Sequence, residues 1–372
     1  MTQTHEPPGL KAPSLSVIVP CYNERANVAV MTQRLFDTLK DIDFEIIFVD
    51  DDSPDGTAQA VREIGRQDSR VHCLRRIGRR GLASAVIEGA LSSSADYVAV
   101  IDGDLQHDET RLPVMLQLLR ENAGDVVVAS RFAAGGDAAG LADETRHHIS
   151  AIGIKAAQIF LGQKLTDPMS GYFMLRRDKF ESLAPRLTGQ GFKILLDLLL
   201  SAPTRLRVVE IGAKFSARVA GESKLSPLVM VQFGALLIDK MFGGRLPLRF
   251  VAFAMVGAIG LVVHLAVLRL GLVSGLGFDR AQTLASFVAM LANFQLNNRL
   301  TYSDQRLRGT DFWRGMALFV LVCGVGAVAN VGIARALYHA EHETRMAAGV
   351  TGAIIGLVWN YAVSSTLVWN RR

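Results

Sequence analysis

The pattern of apolar and polar positions changes character once along the chain. Up to about residue 225, short apolar runs alternate with amphipathic stretches; beyond Arg249 the runs become long and the polar breaks short. In the first part, residues 15–19, 44–49, 97–101 and 126–129 read as buried strands, each a brief apolar run that stops abruptly at polar residues. Residues 28–39, 57–66, 81–92 and 110–120 carry the helical period between them. Strand alternating with helix predicts an α/β, Rossmann-like domain with a mainly parallel sheet. Ligands of such sheets bind beyond the carboxyl ends of the strands, so the polar clusters that close each run should meet in one cleft.

The second part holds four apolar stretches, 249–272, 281–303, 315–338 and 347–369. Each supplies the roughly 20 residues that a helix needs to cross a bilayer, which predicts an α-helical domain of four spans. Arginine and lysine set the orientation. Lys240, Arg245, Arg249, Arg299, Arg306, Arg308, Arg314, Arg371 and Arg372 gather at one set of ends, against Arg269, Arg280, Arg335 and Arg345 at the other. The positive-inside rule then puts both termini and the first domain in the cytosol. A shift of 67 positions pairs Gly257 with Gly324, Asn293 with Asn360, Phe294 with Tyr361 and Tyr302 with Trp369, as two copies of a helical hairpin would. Between the halves, SPLVMVQFGALLIDKMFGGR reads as an amphipathic helix in the membrane interface. A buried last helix of the first domain is the competing reading. The expected domains are 14–225, 226–248 and 249–370.

Composition narrows the class. Half the residues are hydrophobic and mean hydropathy is +0.26, which strains a soluble reading. The net charge of +5 comes without a basic stripe interleaved with aromatics, so a nucleic acid is not an expected partner. Anionic lipid is the more economical one. Cys21, Cys73 and Cys323 are odd in number and scattered, which suits a reducing compartment and gives neither a disulfide framework nor a zinc spacing. No apolar run precedes Leu15, so no signal peptide is expected and the first domain should remain cytosolic.

Candidate chemistry sits where the strands end. Asp102-Gly103-Asp104 follows the third predicted strand, and two carboxylates in that arrangement can hold a hard divalent cation whose shell a substrate phosphate completes. Gln106 offers a further oxygen. A lone Asp-x-Asp also occurs in turns and helix caps, so position carries the weight here. Downstream, Arg218 and Lys224 bracket Gly221, a suitable pair for a diphosphate or simply a solvated basic loop.

Four motifs in order turn these fragments into a resemblance: Val19-Pro20-Cys21-Tyr22-Asn23-Glu24, Val49-Asp50-Asp51-Asp52-Ser53-Pro54-Asp55-Gly56-Thr57, Asp102-Gly103-Asp104-Leu105-Gln106-His107 and Thr166-Asp167-Pro168-Met169-Ser170-Gly171-Tyr172. Residues 14–225 resemble a family 2 glycosyltransferase of GT-A fold, most like the dolichyl- or polyprenyl-phosphate mannosyltransferases. The second half resembles the GtrA-like family through Leu248-Arg249-Phe250 and Asn293-Phe294-Gln295-Leu296-Asn297-Asn298-Arg299-Leu300-Thr301-Tyr302. Leu300 and Tyr302 stand where that family usually has an aromatic residue and Phe.

The resemblance implies roles. Pro20, Tyr22, Glu24 and Asp52 would hold the nucleoside; Asp102, Asp104 and Gln106 the metal, Mg²⁺ or Mn²⁺, and the diphosphate. Arg131, Arg146 and Ser150 would grip the lipid phosphate, and Arg218 with Lys224 would close on the nucleotide. Asp104, Arg131 and Arg218 are the expected catalytic residues, and 133–143 an access loop. The implied reaction is inverting transfer of a hexosyl group, mannose from GDP-mannose foremost, to a polyprenyl phosphate at the cytosolic face of a bacterial-type inner membrane. A homo-oligomer is compatible. One alternative is a glucosyltransferase using UDP-glucose. Another is a GtrA-like glycolipid transporter or scaffold with an inactive first domain. A processive synthase would need Gln-x-x-Arg-Trp, which is not present.

Overall fold

The computed structural model describes residues 12–137, 144–189, 191–216, 227–243, 246–340 and 345–369. It falls into two compact units, Met1–Lys224 and Leu225–Arg372.

In the first unit the chain runs β1 (Leu15–Cys21), α1 (Arg25–Thr38), β2 (Phe44–Asp50), α2 (Thr57–Gly65), β3 (Val71–Arg75), α3 (Leu82–Ser92), β4 (Tyr97–Val100), α4 (Leu112–Arg120) and β5 (Val126–Ser130). It continues through α5 (Glu144–Leu161), β6 (Phe173–Arg176), α6 (Arg177–Leu183), α7 (Ile194–Ser201) and β7 (Val208–Gly212). Seven strands form one sheet in the order β3-β2-β1-β4-β6-β5-β7. Only β6 runs against its neighbours, so the mainly parallel expectation holds. Three strands beyond the four expected from the sequence are present: β3, β6 and β7.

Apolar alternation explains the layering. Leu15, Val17 and Val19 of β1 face a cluster with Val28, Met31 and Leu35 of α1 and Met115 and Leu119 of α4. Ile18, between them, faces the opposite layer with Val86 of α3, Phe180 of α6 and Leu195 and Leu198 of α7. Both faces are covered, which is why the central strands read as unbroken apolar runs. The chain leaves β1 toward β2 and β3, then crosses back to β4 on β1's other side. That reversal is a topological switch point, where a crevice opens beyond the strand ends.

The second unit contains α8 (Pro227–Met241), α9 (Leu248–Val273), α10 (Phe278–Leu296), a π-helical turn over Asn297–Thr301, α11 (Thr310–Ala340) and α12 (Arg345–Leu367). Long helices thus occupy all four expected stretches. Among the described residues, α9 is the one long and apolar enough to cross a membrane by composition, with mean hydropathy 2.5 over its best window. α8 packs through Val231 and Ala235 against Val251 and Ala252 of α9. Asn298, buried, pins the α10–α11 connection: its Oδ1 accepts from Leu307 N (2.8 Å) and Trp369 Nε1 (3.2 Å), and its Nδ2 donates to Leu307 O (3.1 Å).

Several positions related by a shift of 66 or 67 residues meet each other, exchange partners or make equivalent contacts. Tyr302 and Trp369 stack with centroids 4.2 Å apart and planes 4° from parallel. Phe253 contacts Tyr361 (5.6 Å), and Phe319, 66 positions on, contacts Phe294 (5.7 Å). Asn293 lies against Gly260 just as Asn360 lies against Gly326.

Candidate active site

The sheet register assembles the site. Val100 of β4 pairs with Phe173 of β6, and Val128 of β5 pairs with the same residue. Two register steps past these pairs, Asp102, just beyond β4, and Ser130, the last residue of β5, stand on either side of Gly171. A Cβ on Gly171 would lie 2.4 Å from Oδ2 of Asp102, so only glycine leaves room for that carboxylate. Asp102 keeps about a third of its side chain exposed, and His107 Nε2 lies 3.3 Å from its Oδ2. His107 is itself buried edge-on between Tyr172 (5.4 Å) and Phe215 (5.2 Å). Asp104 follows on the same turn, its Oδ1 accepting from Gln106 N at 3.3 Å. The turn is tight enough to put Leu105 at φ 61°, a left-handed conformation that non-glycine residues adopt mainly under local constraint.

Arg131, directly after β5, reaches the buried Asp167 through two parallel bonds, Nε to Oδ2 (2.7 Å) and Nη2 to Oδ1 (2.9 Å). Despite burial, this pairing raises the Arg131 pKa further, so the guanidinium is permanently charged. Glu210 on β7 fixes the partner loop by accepting from Thr166 N (2.8 Å) and Asp167 N (2.9 Å). Lys193, at the N-cap of α7, shares the neighbourhood. Burial and then Arg131 pull its pKa below the ordinary lysine range, while Asp167 and Asp102 oppose that pull. Two cations and two carboxylates are thus gathered at the mouth of the switch point.

Gln106 takes a place the sequence did not foresee. Its Nε2 donates to Ser216 O (2.9 Å) and its own carbonyl accepts from Ser216 N (2.8 Å). It therefore ties the Asp102–Asp104 turn to Ser216, the last described residue before Arg218 and Lys224 in the sequence. Those two residues lie outside the described residues, as does 138–143 of the expected access loop. Arg146 and Ser150 lie on α5, whose first turns are described as backbone.

A second group gathers at the ends of β1 and β2. Asp52 takes a left-handed turn (φ 57°) and accepts from Arg75 Nε at 2.8 Å, and Tyr22 lies beneath Arg80. Pro20 is the penultimate residue of β1, in register with Val49. Glu24 opens α1, its N donating to Thr57 Oγ1 (3.0 Å) and its Oε2 accepting from Asn27 Nδ2 (2.6 Å). Asp167, Lys193, Glu210, Arg75 and Arg80 were not singled out from sequence. Asp167 stood inside a quoted motif, and Lys193 is a charge at the door of an apolar helix; those were the available signals.

The donor set fits a hard divalent cation: Asp102 and Asp104 project from one turn, Gly171 is cut away to admit the first carboxylate, and both offer oxygen alone. Among the described residues no group of three or more His, Cys, Asp or Glu forms a closed cage.

Comparison with known proteins agrees with both halves. Residues 16–184 match the Glycosyl transferase family 2 model, and 252–369 match GtrA/DPMS, transmembrane domain. With the length of α9, the latter match associates the chain with a membrane. A dolichol-phosphate mannosyltransferase of Pyrococcus furiosus is 32% identical over 95% of this chain and 99% of its own length. That of Saccharomyces cerevisiae is 35% identical over 59% of this chain and 83% of its own. An undecaprenyl-phosphate mannosyltransferase of Micrococcus luteus is 33% identical over 56% and 86%.

Proposed function

The chain belongs to the family 2 glycosyltransferases, joined here to a GtrA-like membrane domain, and from that premise we propose that it transfers mannose from GDP-mannose to a polyprenyl phosphate, with inversion. The observation that carries this reading is the Asp102–Asp104 turn after β4 together with the Arg131–Asp167 pair after β5, Asp102 and that pair both acting on Lys193. Such a site suits a reaction in which both substrates are anions. The likeness to mannosyltransferases that act on dolichol and undecaprenyl phosphates supports the sugar and the acceptor.

The chemistry follows from the acceptor. A phosphate monoester is largely dianionic at neutral pH, so it attacks the anomeric carbon without a general base. What the protein supplies is charge and orientation. Asp102 and Asp104, with Gln106 as the expected third oxygen, would hold Mg²⁺ or Mn²⁺ on the donor diphosphate. When bound, the ion supplies Lewis-acid stabilisation of the departing nucleoside diphosphate. Arg131, oriented by Asp167, presents a fixed positive charge toward the acceptor phosphate, joined by Arg146 and Ser150 from α5. Arg218 and Lys224 would close over the diphosphate. Pro20, Tyr22, Glu24 and Asp52 would hold the nucleoside.

The same reading takes four spans, both termini in the cytosol and α8 in the interface as the arrangement of the second unit. The membrane domain then keeps the site beside its lipid acceptor and raises the acceptor's effective concentration. Purified protein with Mg²⁺, a short polyprenyl phosphate and either GDP-mannose or UDP-glucose tests the whole. A mannolipid of the expected mass from GDP-mannose alone is the predicted product, lost in Asp104→Ala. Glucolipid from UDP-glucose alone would replace the sugar and keep the mechanism; neither product would sink the proposal.

A further inference from the structure

Asp50, Asp51 and Asp52 follow one another at the end of β2, yet their side chains go three ways. Asp50 turns inward and accepts from Ser53 N at 3.1 Å. Asp51, buried, accepts from Arg76 Nε (2.8 Å) and Gly81 N (2.7 Å), and Arg76 Nη2 donates to Gly81 O (2.9 Å). Gly81 is thus held by its amide and its carbonyl, at φ 147°. The residue before it, Arg80, lies with its guanidinium carbon 4.4 Å from the Tyr22 ring centroid. Asp52 faces outward nearby. Chiefly the Arg75 hydrogen bond, with a smaller pull from Arg80, holds its carboxyl below the ordinary range.

A guanidinium lying over an aromatic ring keeps its N–H donors in one plane, aimed past the ring's edge. Such a fork matches two acceptors placed side by side. Guanine carries O6 and N7 in that arrangement. Uracil has a single carbonyl on the corresponding edge. A carboxylate complements the opposite edge of guanine, where two N–H groups stand adjacent, and uracil has one.

We propose that Arg80, steadied by Tyr22, is the specificity-determining residue for the donor's base: its guanidinium reads O6 and N7 of guanine, across from Asp52. This deepens the glycosyl-transfer reading and rests on it for the presence of a nucleoside diphosphate. It draws on a different set of side chains from those around the reacting atoms.

The test is calorimetric binding of GDP and UDP, each with Mg²⁺, to the full-length protein in detergent. Arg80→Leu, Arg80→Lys and Tyr22→Leu are compared with the parent, with thermal melting as the folding control. Arg80→Leu should weaken GDP about 10-fold or more and UDP less than about twofold, the range expected of one lost bidentate base contact. Arg80→Lys keeps the charge without the fork and should recover little of the preference. Tyr22→Leu should recover none of it, because the platform is gone. At saturating donor, kcat of Arg80→Leu should stay within about twofold while the donor KM carries the loss. Equal weakening of GDP and UDP, or full rescue by lysine, would overturn the proposal and leave Arg80 a simple attractor of the diphosphate. A parent protein that prefers UDP would also overturn it; if glycolipid still forms from a UDP-sugar, the glycosyl-transfer reading survives. Loss of GDP preference in Arg80→Leu, with no glycolipid from the parent, would divide them the other way.

Discussion

Gly171 and Asp102 show how much of the site rests on single atoms. A methyl at Gly171 would meet the Asp102 carboxylate at 2.4 Å and force it to move. Gly171→Ala should therefore keep its circular dichroism and lose activity by about 100-fold, the scale of an ångström-sized misplacement. Near-normal turnover in that variant would mean that Asp102 is not needed where it stands. Asp51 and Arg76 are a different case, being buried together and remote from the reacting atoms. Asp51→Asn removes one of the two carboxylates on the buried Arg76 guanidinium, Glu88 remaining at 3.1 Å, and should cost about 1–3 kcal/mol, visible as a drop in Tm. Asp102 and Asp104 were legible in the sequence because packing gives no reason for two acids directly after a buried apolar run. Asp167 was not, since its meaning lies in Arg131, 36 positions away. The triple aspartate was only partly legible: sequence marked Asp52, but which of the three faces outward depends on the backbone turn at φ 57°.

At the level of elements, the four strands read from the pattern are buried on both faces, but so is β6, whose Met174 joins one layer while Phe173 and Leu175 join the other. Although β4 and β5 are just as brief, β7 escaped because it is only partly buried along its length, and β6 because its apolar run is cut short at Arg176. Their pairing is set by neighbours rather than by local propensity. The cost of missing β6 was the register itself, which brings Gly171 between Asp102 and Ser130. β7 matters through Glu210, which gathers two backbone amides of the Thr166–Asp167 turn. Glu210→Ala should raise the acceptor KM several-fold more than the donor KM, because it loosens the loop that orients Arg131. An equal change in both would place Glu210 in general stability alone. In the second unit, the presence of helices over the apolar stretches was legible from their length, whereas the use of the two asparagines was not. Gly260→Ala and Gly326→Ala would set a methyl within 2.1 and 2.3 Å of Asn293 and Asn360. Each should lower unfolding stability in detergent by about 1–3 kcal/mol, as overpacking does. Gly257→Ala and Gly324→Ala meet nothing within 4 Å and should melt like the parent.

The whole molecule joins an anion-gathering site to a membrane, and its solution behaviour should follow. Chelation of divalent cations should abolish transfer, with Mg²⁺ or Mn²⁺ restoring it. On the proposed reading, Asp52 stays ionised and able to bind down to its folded-state pKa, which the Arg75 hydrogen bond holds below the ordinary carboxyl range. Donor KM should accordingly be flat from pH 6 to 8. Acceptor kcat/KM should rise across about pH 6 as the lipid phosphate gains its second charge, and reach a plateau. A falling limb at high pH would report loss of the Lys193 charge, since burial lowers its pKa, and should disappear in Lys193→Arg.

The exchanged contacts of the second unit, Phe253 with Tyr361 and Phe319 with Phe294, together with the self-paired stack of Tyr302 on Trp369, are the signature of an isologous dimer folded into one polypeptide. Covalent fusion makes such a dimer independent of protein concentration. It also releases its two halves from identity, so that a tyrosine can face a tryptophan where a homodimer would have to set each residue against itself. The membrane domain can thereby present one asymmetric face while keeping the economy of a symmetric one.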